Sequence, residues 1–377
     1  MTGTVPRMTA PAVPRFGIEE EFHLVDPRTR ATAPDAGTVL EGLSDTGGGQ
    51  YEKELHQAMV ETGTAVCSTL AEARSELERL RAGVARAAAA AGRCVAAAGS
   101  VPLTDWSRQH ITPSPRYRHM VEVYREIVGE QLVCGCHVHV GFSDRDRAVA
   151  VLNRVRPWLP VLLALSASSP FWTGRDTGYA SYRTQVWGRW PSAGMPGRFA
   201  SAAEYDRVVA TLIDAGGILD AGMLYWDVRL SAGHETLEFR TADVCTTVDE
   251  AVLHAGLVRA LASTCDREAE RGAPIPPVRD EVLRAARWRA ARYGVEGDLI
   301  DAVAGRAVQA GTLVEALLDY VGEALDATGD RDAVVAAARR ILREGTSSTR
   351  QRRVFRATGR LEAVLDHVIA ETAGRSA

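Results

Sequence analysis

Polar and apolar residues alternate with a period of two over residues 16–27, Phe-Gly-Ile-Glu-Glu-Glu-Phe-His-Leu-Val-Asp-Pro, which predicts a half-buried strand closed by Asp26-Pro27. The alternation sorts Ile18, Glu20, Phe22 and Leu24 to one face and Glu19, Glu21 and His23 to the other. A second strand is predicted at 132–142, where His137 and His139 share one face while Cys134, Cys136, Val138 and Val140 share the opposite one. Residues 225–230 and 236–240 form a third and a fourth, joined by Ser231-Ala232-Gly233-His234 in a hairpin-like connection. In the last of these Leu237 and Phe239 take the core face, and Glu238 and Arg240 the other. Residues 51–64 read as a further strand, although a short helix fits them too. Glu54 and Glu61 have opposite strand parity there, so they meet only across a bulge or bend.

Helical periodicity covers most of the remainder. The expected helices span 70–98, capped by Ser68 and closed by Gly99, and 116–129, after the Pro113-Ser114-Pro115 break. An apolar run at 144–169 is interrupted by Pro157 and Pro160 and must be buried. Residues 202–215, 249–264, 278–292, 312–325, 331–344 and 351–371 complete the set. Residues 28–49 read as an irregular connection, and residues 1–15 as a disordered lead-in. With no internal repeat or low-complexity linker, residues 16–377 are expected to form a single α+β domain, with helices packed on the back of an antiparallel sheet.

Composition narrows the function. The 377 residues carry a net charge of −4, which gives no general attraction for nucleic acid or anionic lipid. No uninterrupted apolar run approaches the roughly 18 residues of a membrane span. Six cysteines without a disulfide framework fit a reducing cytoplasm. Lys53 is the only lysine, so a Walker A loop is absent and any handling of ATP must rely on metal ions and arginines. The Arg350-Gln351-Arg352-Arg353 cluster is expected to be a solvated helix face. Residues 171–199 interleave Trp172, Tyr179, Tyr182, Trp187 and Trp190 with Arg175, Arg183, Arg189 and Arg198. A long loop of that kind suits a small anionic ligand better than single-stranded nucleic acid in a net acidic chain.

The strand faces carry the candidate chemistry. Glu19 and Glu21 repel one another unless a cation lies between them, and two imidazoles on one strand face can share a metal or a bound polyphosphate. A charged edge strand and merely hydrogen-bonded histidines fit the same residues. Strand parity turns Cys134 and Cys136 away from the imidazoles, which argues against a Cys/His zinc site. Glu238 beside Arg240 is most simply a salt bridge; at the mouth of a metal site it would supply a ligand and an anion clamp.

Taken together, Gly17-Ile18-Glu19-Glu20-Glu21-Phe22, Cys136-His137-Val138-His139-Val140-Gly141, Ala180-Ser181-Tyr182-Arg183, Leu237-Glu238-Phe239-Arg240 and Tyr293-Gly294-Val295-Glu296-Gly297 resemble the ATP-dependent carboxylate-amine ligases, also called glutamate-cysteine ligase type 2. More distantly the three strands resemble glutamine synthetase. The resemblance runs from about Phe16 into the C-terminal helices. It implies a glutamine synthetase-like catalytic fold, a curved antiparallel sheet with helices on its outer face, holding ATP and Mg2+ or Mn2+. It implies Glu19, Glu21, His137 and Glu238 as metal ligands, joined by Glu54 and Glu61 of the family's next acidic segment. Gln57 stands where some relatives carry another acid. His139 is implied as a phosphate contact, and Arg183 and Arg240 as catalytic residues gripping ATP phosphates or the substrate carboxylate. The implied reaction joins a glutamate-like carboxylate to an amine, cysteine by default, through an acyl phosphate, in a self-associating homodimer. Phosphoryl transfer without amide formation, and a non-catalytic nucleotide or amino-acid binding protein, are the alternatives.

Overall fold

The computed structural model describes residues 13–43 and 48–374. The expectation for residues 1–12 therefore lies outside the described residues, whereas the Pro14 and Arg15 carbonyls accept hydrogen bonds from Arg259 Nε and the Gly141 amide.

Seven strands form one antiparallel sheet: β1 (Phe16–Val25), β2 (Gln50–Lys53), β3 (Met59–Gly63), β4 (Cys94–Ala96), β5 (Gly135–Gly141), β6 (Val228–Leu230) and β7 (Thr236–Asp243). Their order is β2-β3-β1-β5-β7-β6, with β4 paired to the end of β1. The alternation read from β1 holds. Ile18 stands opposite Val138 and belongs to the buried core, whereas Glu19 stands opposite His137 on the other face. His139 pairs with Glu238 across β5 and β7, and Glu21 with Glu61 across β1 and β3, so these side chains share that face.

Between Cys136 and Val138 the β5–β7 register shifts. Two residues of β7, Arg240 and Thr241, are accommodated opposite His137, and parity beyond that point inverts. Ala242 therefore faces the core, and Asp243 falls on the same side as Glu238 and Arg240. The core face is packed by helices, among them α1 (Leu70–Ala90), α2 (Val248–Glu270) and the segments Arg145–Val155 and Leu159–Ser166.

Several expected boundaries are corrected. The residues 51–64 form two strands rather than one, and Glu54 lies in their connection. The first long helix is capped by Thr69, whose side chain accepts from the Glu72 amide at 3.1 Å, not by Ser68. It ends at Ala90 rather than residue 98, because Gly92 turns at φ +70° and Val95 and Ala96 bury against β1. Alanine's helix propensity is overridden there by tertiary packing. Residues 116–129 divide into Pro115–Tyr124 and Glu126–Glu130 at Arg125, whose φ is +52°. The run 144–169 passes from Arg145–Val155 through a 3₁₀ turn at Pro157 into Leu159–Ser166. Arg145–Ser166 is long and apolar enough to cross a membrane, but 83% of its most apolar window is buried inside the molecule.

The connection 28–49 contains a short helix, Ala36–Glu41. Residues 171–199 hold the helix Arg183–Trp187 and a small ladder, Phe171–Trp172 with Arg175–Asp176. A second ladder that the periodicity did not anticipate, Asp298–Asp301 with Arg306–Gln309, follows the helix Asp280–Tyr293. The expected helix 312–325 divides at Val321, and 351–371 divides at Gly359, which adopts φ +67°. The arginine cluster is not simply a solvated face. Gln351 is buried, Arg350 pairs with Glu250 and Glu371 at 2.8 Å each, and Arg352 pairs with Asp176 at 2.6 Å.

Candidate active site

The polar face of the sheet opens into a cavity of about 310 Å3. Its wall includes Glu19 and Glu21 from β1, Glu54 and Glu61 from the β2–β3 hairpin, His137 and His139 from β5, and Glu238 and Arg240 from β7. Eight of the nine residues singled out from the sequence thus line one space; the ninth, Arg183, does not.

Two sets of three side chains each bring one potential ligand atom within 4.8 Å of the others: Glu19, His139 and Glu238, and Glu21, Glu54 and Glu61. Glu54 joins Glu61 despite its strand parity because the chain turns between them. Its backbone is fixed there, since its carbonyl accepts from Thr112 Oγ1 at 2.6 Å and the Thr112 amide donates to the Leu55 carbonyl at 2.8 Å. Gln57 is elsewhere, donating through its side-chain amide to the Ile111 carbonyl at 3.1 Å. His137 belongs to neither trio. Its Nδ1 is 3.3 Å from Glu19 and its Nε2 3.9 Å from Glu21, so it stands between the two.

The electrostatics expose an unsettled acidic cluster. Burial, then the charge of Glu54, pushes the Glu21 carboxyl up to about 8 even though it accepts from the Gly135 amide. Glu61 is pushed well up by burial and then by its contact with Glu54. Such carboxylates favour a shared proton or a cation, and three oxygens in a half-buried site suit a hard divalent ion. The other trio is better balanced. Burial raises Glu238, but the charges of Arg240 and Arg229 outweigh it and hold the carboxyl far below the usual range. Arg229 reaches Glu238 across β6 and β7 with two bonds of 2.7 and 3.2 Å, and Arg240 contacts it from the same strand. Burial also raises Glu19, and the contacts with His137 and His139 reverse that shift. Burial, followed by the charge of Arg240, pushes His137 down to about 4. For His139, burial is outweighed by Glu19 and the imidazole is raised.

Arg183 lies behind the wall. It is buried, its guanidinium lies over Trp187 at 5.5 Å, and a Cβ on Gly135 would collide with it. Arg240 lies over the same indole at 5.7 Å, so both cations pack on Trp187. The segment carrying Arg183 is tied to Asp243. Asp243 accepts from Ser169 Oγ and Ser181 Oγ at 2.7 Å each, and Ser169 Oγ accepts from the Arg183 amide at 3.0 Å. Sequence reasoning missed Asp243, because only the β7 bulge turns it towards this side. It also missed Arg116, Tyr117, Tyr225 and Arg229 in the wall. Of these, only Arg229 left a usable signal, as a cross-strand partner two residues before the hairpin turn.

An antiparallel sheet backed by helices, with an acidic, histidine- and arginine-lined cavity on its open face, is the architecture of the carboxylate-amine ligases. Residues 15–367 match the model for glutamate-cysteine ligase family 2, and the chain belongs to that family. It is 48% identical over 379 residues to "Putative glutamate–cysteine ligase 2-2" of Frankia alni, covering 97% of this chain and 98% of that one. It is 41% identical over 365 residues to "Putative glutamate–cysteine ligase 2" of Rhodopirellula baltica, covering 96% and 97%. Against a relative of the same type in Frankia casuarinae, 45% identical, the chain spans 41% of the length. Among solved structures, it is similar to glutamate–cysteine ligase from Francisella tularensis in complex with AMP, with a TM-score of 0.66, 14% identity and coverage of 97% and 90%. It is likewise similar to a bifunctional glutathione synthetase from Pasteurella multocida, with a TM-score of 0.69, 15% identity and coverage of 96% of this chain and 52% of that one. At these identities the structures establish the fold.

Proposed function

We propose that the chain is an ATP- and Mg2+-dependent ligase joining a glutamate-like carboxylate to an amine, cysteine by default, through an acyl phosphate. The observation that carries this reading is the pair of ligand trios, Glu19/His139/Glu238 and Glu21/Glu54/Glu61, lining one cavity together with Arg240 and Arg229, which both bond Glu238. A carboxylate is a poor acylating agent. Its oxygen attacks the γ-phosphorus of ATP and ADP leaves; the amine nitrogen then attacks the acyl carbon, phosphate departs and the nitrogen loses a proton. Mg2+ or Mn2+ held by the two trios would supply the charge neutralisation that gathers a triphosphate beside these carboxylates.

The chain's own residues supply the rest. Arg240 presents a fixed cation at the wall, suited to phosphoryl oxygens. Trp187, beneath it, shields that charge from water and strengthens it. Arg183 acts from behind, packed close against Gly135 of β5 and adding positive potential at Glu21. In this reading His139 takes the ligand role and His137 orients Glu19 and Glu21, which exchanges the roles the resemblance implies for the two imidazoles.

The test is incubation of the purified chain with ATP, Mg2+, glutamate and a panel of amines including cysteine, followed by mass spectrometry. The expected result is ADP, phosphate and an amide in equal amounts. ADP with a phosphorylated acceptor and no amide would replace ligation with phosphoryl transfer, and ATP binding without turnover on any amine would overturn the enzyme reading.

A further inference from the structure

Thr236 opens β7 directly after the hairpin tip, and its Oγ1 lies 2.8 Å from His139 Nδ1. The other ring nitrogen, Nε2, is enclosed and makes no aligned hydrogen bond. It points into the first trio, 3.2 Å from Glu19 Oε1 and 4.0 Å from Glu238 Oε1. We propose that Thr236 is a positioning residue that holds His139 with its Nε2 lone pair directed at the cation position it shares with Glu19 and Glu238. The inference rests on the metal-binding reading of that trio given above.

The physical reason lies in the symmetry of imidazole. Its two nitrogens compete for any cation unless one is engaged, and a partner that accepts from Nδ1–H leaves Nε2 free as the ligand. A hydroxyl both donates and accepts. Without a cation it can donate to Nδ1 while Nε2–H faces Glu19. With one, it rotates to accept from Nδ1–H. One hydroxyl thus serves both states without moving the backbone. Among the described residues Thr236 is the hydrogen-bond partner found at Nδ1. His234 packs edge-on against His139 at 5.7 Å, but it is exposed at the hairpin tip and offers an aromatic edge.

Titration of Mn2+ into the full chain, with free Mn2+ read by electron paramagnetic resonance, tests this without relying on turnover. Glu19→Gln should lose one bound Mn2+. Thr236→Val, which keeps the shape and removes the polar atom, should weaken one Mn2+ by roughly 10- to 100-fold and leave the other unchanged. Thr236→Ser should restore wild-type affinity. Wild-type binding by Thr236→Val overturns the inference, and so does a Thr236→Ser variant as weak as Thr236→Val, which would reduce the residue to a packing role. If Glu19→Gln binds Mn2+ like the wild type, the metal-binding reading fails and this inference with it. Should Thr236→Val not fold, Thr236→Ala takes its place.

Discussion

Glu21, Glu54 and Glu61 show what a single residue costs when its partner is another acid. Their ligand atoms lie within 4.8 Å of one another, and burial compounds their repulsion. A site of this kind is stable only with a cation or a retained proton. Replacing Glu61 with glutamine removes the ionisable group and leaves the shape. Without metal, Glu61→Gln should melt higher than the wild type by about 1–3 °C, and the added stability on saturation with Mg2+ should shrink. A lower melting temperature without metal would mean the trio is not repulsive. The same scale explains which site residues were legible. Glu19, Glu21, His137, His139, Glu238 and Arg240 sit on strands, where a period of two assigns the face without knowledge of the fold. Glu54, in a turn, and Asp243, beyond a bulge, could not be assigned in that way. Arg183 was visible as part of a motif, but its position behind Gly135 was not.

At the scale of elements, β1 carries two unlike jobs on its two faces. Glu19 and Glu21 face the cavity, whereas Glu20 is buried on the core side and bonded to Arg81 at 2.9 and 2.6 Å. Arg81 also donates to the Cys245 and Thr246 carbonyls, at 2.7 and 2.8 Å, so it ties α1 to β1 and to the segment after β7. Removing one partner of a fully buried ion pair leaves an uncompensated charge, at a cost of about 3–5 kcal/mol. Arg81→Ala should therefore lower stability by that amount in denaturant melts while the folded fraction binds Mn2+ normally. Glu19→Gln should do the reverse. A stable Arg81→Ala variant with impaired Mn2+ binding would contradict this division of faces. The elements that were misjudged share one cause. Residues 91–98 favour helix locally, yet the end of β1 offers Val95 and Ala96 a ladder and a buried surface that outweigh propensity.

For the whole molecule, α2 is a long core helix, and His254 is buried within it with no hydrogen-bond partner for Nε2 among the described residues. Burial pushes its imidazole down to about 4 from an ordinary 6.5. Between those values the unfolded chain binds more protons than the folded one, so this contribution is complete above pH 6.5 and is lost as the pH falls towards 4. The limiting slope for one such group is about 1.4 kcal/mol per pH unit. His254→Leu should flatten the fall in unfolding free energy between pH 6 and about 4.5 by up to that slope; an unchanged profile would show that His254 does not titrate with unfolding. By itself the sequence determined strands β1, β5, β6 and β7, their two faces and the family, because alternation and motif spacing are local properties of the chain. Only the tertiary structure decided that Glu54 meets Glu21 and Glu61, that Asp243 turns towards Arg183, and that Thr236 reaches His139. Those contacts depend on a turn, a bulge and a register between strands distant in sequence, and no local pattern encodes the distance between them.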